Sequence, residues 1–149
     1  MTFLLPAYLI LVIYLFWKRR RQEATDIMFI GATSIGLMYG LKLYYSRQRP
    51  DLALIEQLTT YSFPSGHALC SFIFSSVLIY HVWQTVWDKK WKWLLSFLLL
   101  IIAIAIGVSR IVLRYHYPSD VLAGLCMGMA WVLFSLWLQS KLRIKPPKI

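Results

Sequence analysis

A chain of 149 residues that is 59% hydrophobic and only 15% charged is too apolar for a soluble globular or disordered protein. Its formal charge of +10 would suit nucleic acid, but the basic residues sit between apolar runs and follow membrane topology instead, so no nucleic-acid partner is expected.

Five apolar stretches approach the about 17 to 25 residues that cross a bilayer. The first, Thr2 to Trp17, is the shortest and holds Pro6. No basic residue precedes it and no small-residue cleavage site follows, so it reads as an anchor rather than a signal peptide. The second, Ile27 to Tyr45, carries Ala32, Gly36 and Gly40 at four-residue spacing, a stripe where another helix is expected to approach closely. The third runs from Gly66 to Trp87, the fourth from Trp93 to Ser109, and the fifth from Pro118 to Gln139, with its own pair of glycines, Gly124 and Gly128. The expected fold is all-α, a polytopic membrane helical bundle with about five transmembrane helices, forming one transmembrane domain over residues 1–149. Cys70 and Cys126 fall inside spans 3 and 5 and are expected to be small buried thiols rather than a disulfide or metal ligands. Trp17, Tyr44, Tyr45, Trp87, Trp91 and Trp93 lie near span ends, where an interfacial aromatic belt belongs.

Lys18, Arg19, Arg20 and Arg21 follow span 1, Lys89, Lys90 and Lys92 separate spans 3 and 4, and Lys141, Arg143, Lys145 and Lys148 form the tail. These eleven of the sixteen basic residues share one membrane face. The positive-inside rule then places the N-terminus outside and the C-terminus in the cytoplasm.

With five alternating spans, the 2–3 and 4–5 connections share the opposite, outer face. There the unusual residues gather: Lys42 in the last turn of span 2, Arg49 in the next loop, Ser65, Gly66 and His67 at the head of span 3, Arg110 at the end of span 4, and His116 and Asp120 at the head of span 5. Three cations beside two histidines and a carboxylate form a site for a phosphate ester. Arginine grips phosphate oxygens as a fork and lysine as a point charge, while the Pro64-Ser65-Gly66-His67 turn adds the free N–H groups of a helix N-terminus. His81 lies fourteen residues after His67 in the same span, roughly 21 Å away along a helix, and is excluded. No carboxylate cluster suited to magnesium or zinc is visible in the sequence, and no cofactor is expected.

The stretch KLYYSRQRP from Lys42 to Pro50, PSGH from Pro64 to His67, and SRIVLRYHYPSD from Ser109 to Asp120 resemble the three-part signature of the type 2 phosphatidic acid phosphatase family. The intervals agree: six residues between Lys42 and Arg49, five between Arg110 and His116, three between His116 and Asp120. Many members of that family have six spans with the first motif after the third, whereas here it follows the second. The resemblance implies that His116 attacks phosphorus to form a phosphohistidine, that Asp120 accepts a hydrogen bond from its other ring nitrogen, and that His67 protonates the leaving oxygen. It also implies that Lys42, Arg49, Arg110, Ser65 and the Gly66 amide hold the phosphoryl oxygens, without a metal.

The expected activity is hydrolysis of a membrane lipid phosphate in the outer leaflet of a bacterial cytoplasmic membrane, with the site facing the periplasm or cell exterior. The bilayer and the lipid substrate are the expected partners, with no obligate protein partner. Arg47 and Arg114, also on the outer face, suit a headgroup with more than one phosphate and favour lipid A 1-phosphatase over undecaprenyl pyrophosphate or phosphatidylglycerophosphate phosphatase. A lipid phosphotransferase is the second enzymatic reading. A transporter or scaffold is the non-enzymatic one, disfavoured because the charges gather at one face rather than through the bilayer depth. The loop Asp51 to Phe63 is the expected determinant of substrate choice.

Overall fold

In a computed structural model of the protein, residues 4–51, 53–54 and 59–142 are described. Five helices follow one another: α1 Leu4–Trp17, α2 Arg21–Tyr45, α3 Gly66–Trp83, α4 Lys89–Val112 and α5 Pro118–Leu142. Thr2, the basic tail residues Arg143, Lys145 and Lys148, and part of the loop expected to select substrate (residues 52 and 55–58) lie outside the described residues.

Four of the helices, α2 to α5, are long and apolar enough to cross a membrane, and α1, with 14 residues, is a shorter apolar helix. At a 1.5 Å rise a helix of that length extends roughly 21 Å, short of a hydrocarbon core of about 30 Å. The apolar runs located each helix, but not its ends. Helix α2 starts at Arg21 rather than Ile27, because the polar Arg21–Asp26 segment continues the helix with Glu23 in its first turn. Helix α3 ends at Trp83 rather than Trp87, where the Gln84 N–H bonds back to the His81 and Val82 carbonyls. Helix α4 extends from Lys89 to Val112, past both expected limits.

Helix α3 is the centre of the bundle and packs most extensively on α4 and α5. Its serines reach across to α4: Ser71 Oγ donates to the Ala103 carbonyl at 3.4 Å and Ser75 Oγ to the Leu99 carbonyl at 3.1 Å. Such bonds contribute about 0.6 kcal/mol each between membrane helices. On the other flank α5 comes close to α3 at Gly124 and Gly128. A Cβ on Gly124 would stand 2.8 Å from the Ser65 carbonyl oxygen, and one on Gly128 3.2 Å from that of Leu69. The glycine pair of span 5 therefore packs as its spacing suggested.

The stripe on span 2 does not. A Cβ on Gly36 or Gly40 would meet nothing within 4 Å, and α1 instead approaches α2 at Gly31, against the Tyr8 ring. Tyr8 also donates its hydroxyl to the Ile27 carbonyl at 2.5 Å. Identical spacing gives contact on α5 and open surface on α2 because only one of the two stripes faces another helix. Cys126 is likewise exposed rather than buried, Cys70 is half-buried, and both are free thiols. Ile10, Ile13, Ile101, Ile102, Leu122 and Leu133 point outward, as side chains bathed in lipid do.

Candidate active site

The C-terminal ends of α2 and α4 and the N-terminal ends of α3 and α5 meet at one end of the bundle, and main-chain bonds stitch the three motif segments together there. The Ser62 N–H donates to the Arg47 carbonyl at 2.8 Å and the Ser65 N–H to that of Asp120 at 3.0 Å. The Tyr115 and His116 N–H groups both turn back to the Arg110 carbonyl, at 3.0 and 3.3 Å. A cis peptide bond joins Phe63 to Pro64 just before α3. Ser65 caps α3, its Oγ accepting from the Ala68 N–H at 3.5 Å. Ser65 and Gly66 are both buried. Pro118 opens α5, a first-turn position where the missing N–H goes unmissed, and Asp120 stands in the same turn, where a carboxylate is favoured by the helix dipole.

His116 is 4% exposed. Its Nε2 lies 3.4 Å from Nη1 of Arg49 and its Nδ1 3.6 Å from Oδ2 of Asp120. The second distance suits an ion pair but is long for a hydrogen bond, so the bond expected between these two residues is not closed. Burial, then the nearby Arg49 and Lys42, push the imidazole down to about 4, against the pull of Asp120 and the Ser62 backbone. At neutral pH the ring is therefore uncharged, and its Nε2 lone pair faces the Arg49 guanidinium.

The cations are held by loop carbonyls. Lys42, 8% exposed, donates from Nζ to the Tyr61 carbonyl at 2.6 Å. Arg49 donates from Nε to the Thr60 carbonyl at 2.6 Å and from Nη1 to the Tyr115 carbonyl at 2.8 Å, and its Nη2 meets Thr60 Oγ1 at 2.9 Å. Burial lowers the pKa of the Arg49 guanidinium, an effect opposed by Asp120 and Tyr115. Arg110 extends toward the Tyr115 ring, 6.0 Å from its centroid. His67, half-buried in the first turn of α3, lies within electrostatic reach of Arg110, His116 and Arg49. All eight residues singled out in the sequence thus converge on one end of the bundle, and the excluded His81 sits far along α3, 3.0 Å from Glu23.

Sequence reasoning misplaced one residue and passed over another. Arg47, expected to face the headgroup, instead bonds Asp120 Oδ1 at 2.8 Å and Ser119 Oγ at 2.8 Å. Ser62 donates its hydroxyl to Asp120 Oδ2; its only sequence signal is a small polar residue two positions before Pro64. Arg114, in left-handed conformation at φ 55°, lines with Arg49, Gln48, Thr59 and Tyr61 a polar cavity of about 470 Å³ beside the site. Among the described residues, no three His, Cys, Asp or Glu side chains come together in a way that could hold a metal ion.

A buried neutral imidazole among arginine, lysine and a helix N-terminus, at one end of a membrane-spanning bundle, makes this a membrane protein with a site whose charges suit a phosphate ester. The chain belongs to the PAP2 superfamily, whose profile matches residues 23–144. It is 29% identical over 129 residues to phosphatidylglycerophosphatase B of Bacillus subtilis, covering 86% of this chain and 64% of that protein. It is 30% identical over 131 residues to the undecaprenyl-diphosphatase BcrC of the same organism, covering 83% and 62%. The chain thus spans a little under two thirds of the length of these relatives. Among solved structures it resembles the transmembrane PAP2-type phosphatidylglycerolphosphate phosphatase of Bacillus subtilis, with a TM-score of 0.85 and 26% identity over 98% of this chain and 73% of that one. LpxE of Aquifex aeolicus shares the fold, with a TM-score of 0.64 and 24% identity over 87% and 75%.

Proposed function

We propose that this protein is a lipid phosphate phosphatase that hydrolyses the terminal phosphate of a two-phosphate lipid, phosphatidylglycerophosphate first, at the outer face of a bacterial cytoplasmic membrane. The observation that carries the reading is His116: its Nε2 faces the Arg49 guanidinium while its Nδ1 faces a buried carboxylate. Nε2 attacks phosphorus and the bond to the leaving oxygen breaks. His67 gives that oxygen its proton, and water then attacks the phosphohistidine to release phosphate. Lys42, Arg49, Arg110, Ser65 and the Gly66 amide take up the phosphoryl charge.

In the sequence, Arg47 and Arg114 favour lipid A. Arg47 is committed to Asp120, and the likeness to LpxE is one of fold alone, whereas the likeness to the phosphatidylglycerophosphatase extends over almost the whole chain. A polyprenyl diphosphate is the second reading, supported by the similarity to BcrC. Either lipid sets a second phosphate beside the scissile one, where Arg114 borders the polar cavity.

Phosphate release by the purified protein from phosphatidylglycerophosphate, undecaprenyl diphosphate and lipid A orders the substrates. The mechanism is tested by changing the leaving group. His67→Ala should reduce lipid phosphate turnover by about 10²-fold or more yet lose much less on p-nitrophenyl phosphate, whose phenolate departs unaided, while His116→Ala should abolish both. Equal losses for both variants on both substrates would refute the assignment of acid and nucleophile.

A further inference from the structure

Asp120 is fully buried, and a carboxylate has about four acceptor positions to satisfy. Arg47 Nη1 occupies Oδ1 at 2.8 Å. The Ser62 hydroxyl and the Tyr117 N–H, the latter at 3.0 Å, occupy Oδ2. Oδ2, already accepting from those two groups, lies 3.6 Å from His116 Nδ1, within ion-pair but not hydrogen-bond distance. Arg47 itself lies over the Tyr117 ring, its guanidinium carbon 4.2 Å from the centroid. Its carbonyl accepts the Ser62 N–H, so the two partners of the carboxylate are tied to each other as well. With both oxygens held by groups other than the imidazole, rotation of the carboxylate is restrained and Oδ2 is kept toward His116.

We propose that Arg47, seconded by Ser62, is a positioning residue for the reaction: it acts through Asp120, orienting the carboxylate that steadies His116, and does not touch the substrate. The inference rests on the phosphatase reading above. It also sets apart the two outer arginines that the sequence pairs, since Arg114 lines the cavity and Arg47, bonded to Asp120, does not. A residue of this kind raises kcat and leaves substrate affinity alone, whereas a headgroup contact mainly sets KM.

The test is steady-state kinetics on phosphatidylglycerophosphate in detergent micelles, with monodispersity checked by size exclusion. Arg47→Ala should lower kcat by about 10- to 100-fold, the scale on which groups that orient a functional histidine act, with KM within twofold of the parent. Arg47→Lys should recover part of the loss by restoring the charge without the planar fork. In an Asp120→Asn background, Arg47→Ala should add nothing. Should the Asp120 variant fail to fold, Ser62→Ala serves in its place: it should give the same kcat-only loss, and combined with Arg47→Ala less than the product of the two. A raised KM at unchanged kcat would make Arg47 a headgroup contact and overturn the proposal, as would losses that multiply fully in the double variants. His116→Ala separates the two levels: if it keeps lipid turnover, the phosphatase mechanism itself fails, whereas an inactive His116→Ala beside a fully active Arg47→Ala refutes only the positioning role.

Discussion

A single methyl group at Gly124 should disturb the site from the far side of α3. The added Cβ would lie 2.8 Å from the Ser65 carbonyl oxygen, 3.1 Å from Ala68 Cβ and 3.2 Å from the Leu69 nitrogen. Two of these are backbone atoms, so no side-chain rotation relieves the crowding. Restoring the closest contact to an ordinary 3.4 Å requires α5 and α3 to part by about 0.6 Å. Asp120 is one turn before Gly124 on α5, and its carbonyl accepts the Ser65 N–H at 3.0 Å, so the separation is delivered to the join between His116–Asp120 and the Ser65–His67 turn. A misplacement of about 1 Å in a catalytic array lowers rate by about 10²-fold. Gly124→Ala should therefore lower kcat about tenfold and, as an overpacking change, destabilise the bundle by about 1 to 3 kcal/mol. Gly128→Ala, 3.2 Å from the Leu69 carbonyl, should fall between it and the parent. Gly36→Ala, which meets nothing within 4 Å, should be neutral in rate. Turnover of p-nitrophenyl phosphate and thermal unfolding in detergent measure both effects. If Gly124→Ala keeps kcat within twofold and unfolds with the parent, the close approach does not set the site and the reasoning is wrong.

Other outcomes follow from the same geometry. His116 should titrate near pH 4 by NMR of labelled imidazole, and Arg49→Gln should raise its midpoint; a midpoint at or above 6.5 would contradict the burial described. Because the folded state lowers this pKa, the neutral ring contributes stability that is complete above about pH 6.5 and lost as pH falls toward 4; thermal unfolding across that window should register the loss, and an equal slope in His116→Ala would refute this origin. Vanadate, which takes up five-coordinate geometry among cations, should inhibit, and activity should survive a chelator; loss of turnover in EDTA that magnesium restores would refute a phosphoryl group held by protein cations alone. With the N-terminus outside, a membrane-impermeant thiol reagent should label a cysteine placed at Thr59 but not one at Lys90, and the reverse result would invert the topology.

The residues of the candidate site were legible in the sequence because alternating spans constrain strongly: Lys42, His67 and Arg110 stand at helix ends and His116 in the short α4–α5 connection, and parity alone sends these to one face. Helix limits were less legible where polar residues continue a helix, as at Arg21–Asp26. The partners of Asp120 were not legible at all. Arg47 and Ser62 reach it from loops separated from it by 73 and 58 positions, and contacts between loops leave no periodicity to read. Nor does spacing tell which glycine stripe finds a neighbour, since Gly36 and Gly124 sit in the same pattern on opposite kinds of surface.

Lys42 and Arg49 rest on the carbonyls of Thr60, Tyr61 and Tyr115, and this changes what admission to the site involves. A phosphoryl group arriving as proposed above would not meet bare cations; it would exchange places with neutral dipoles. An uncharged headgroup gains nothing by that exchange, while a phosphate dianion gains the difference between a full charge and a partial one. On the phosphatase reading proposed above, the same carbonyls would take the cations back at the end of the reaction, so the loops that build the site would also help to displace inorganic phosphate from it.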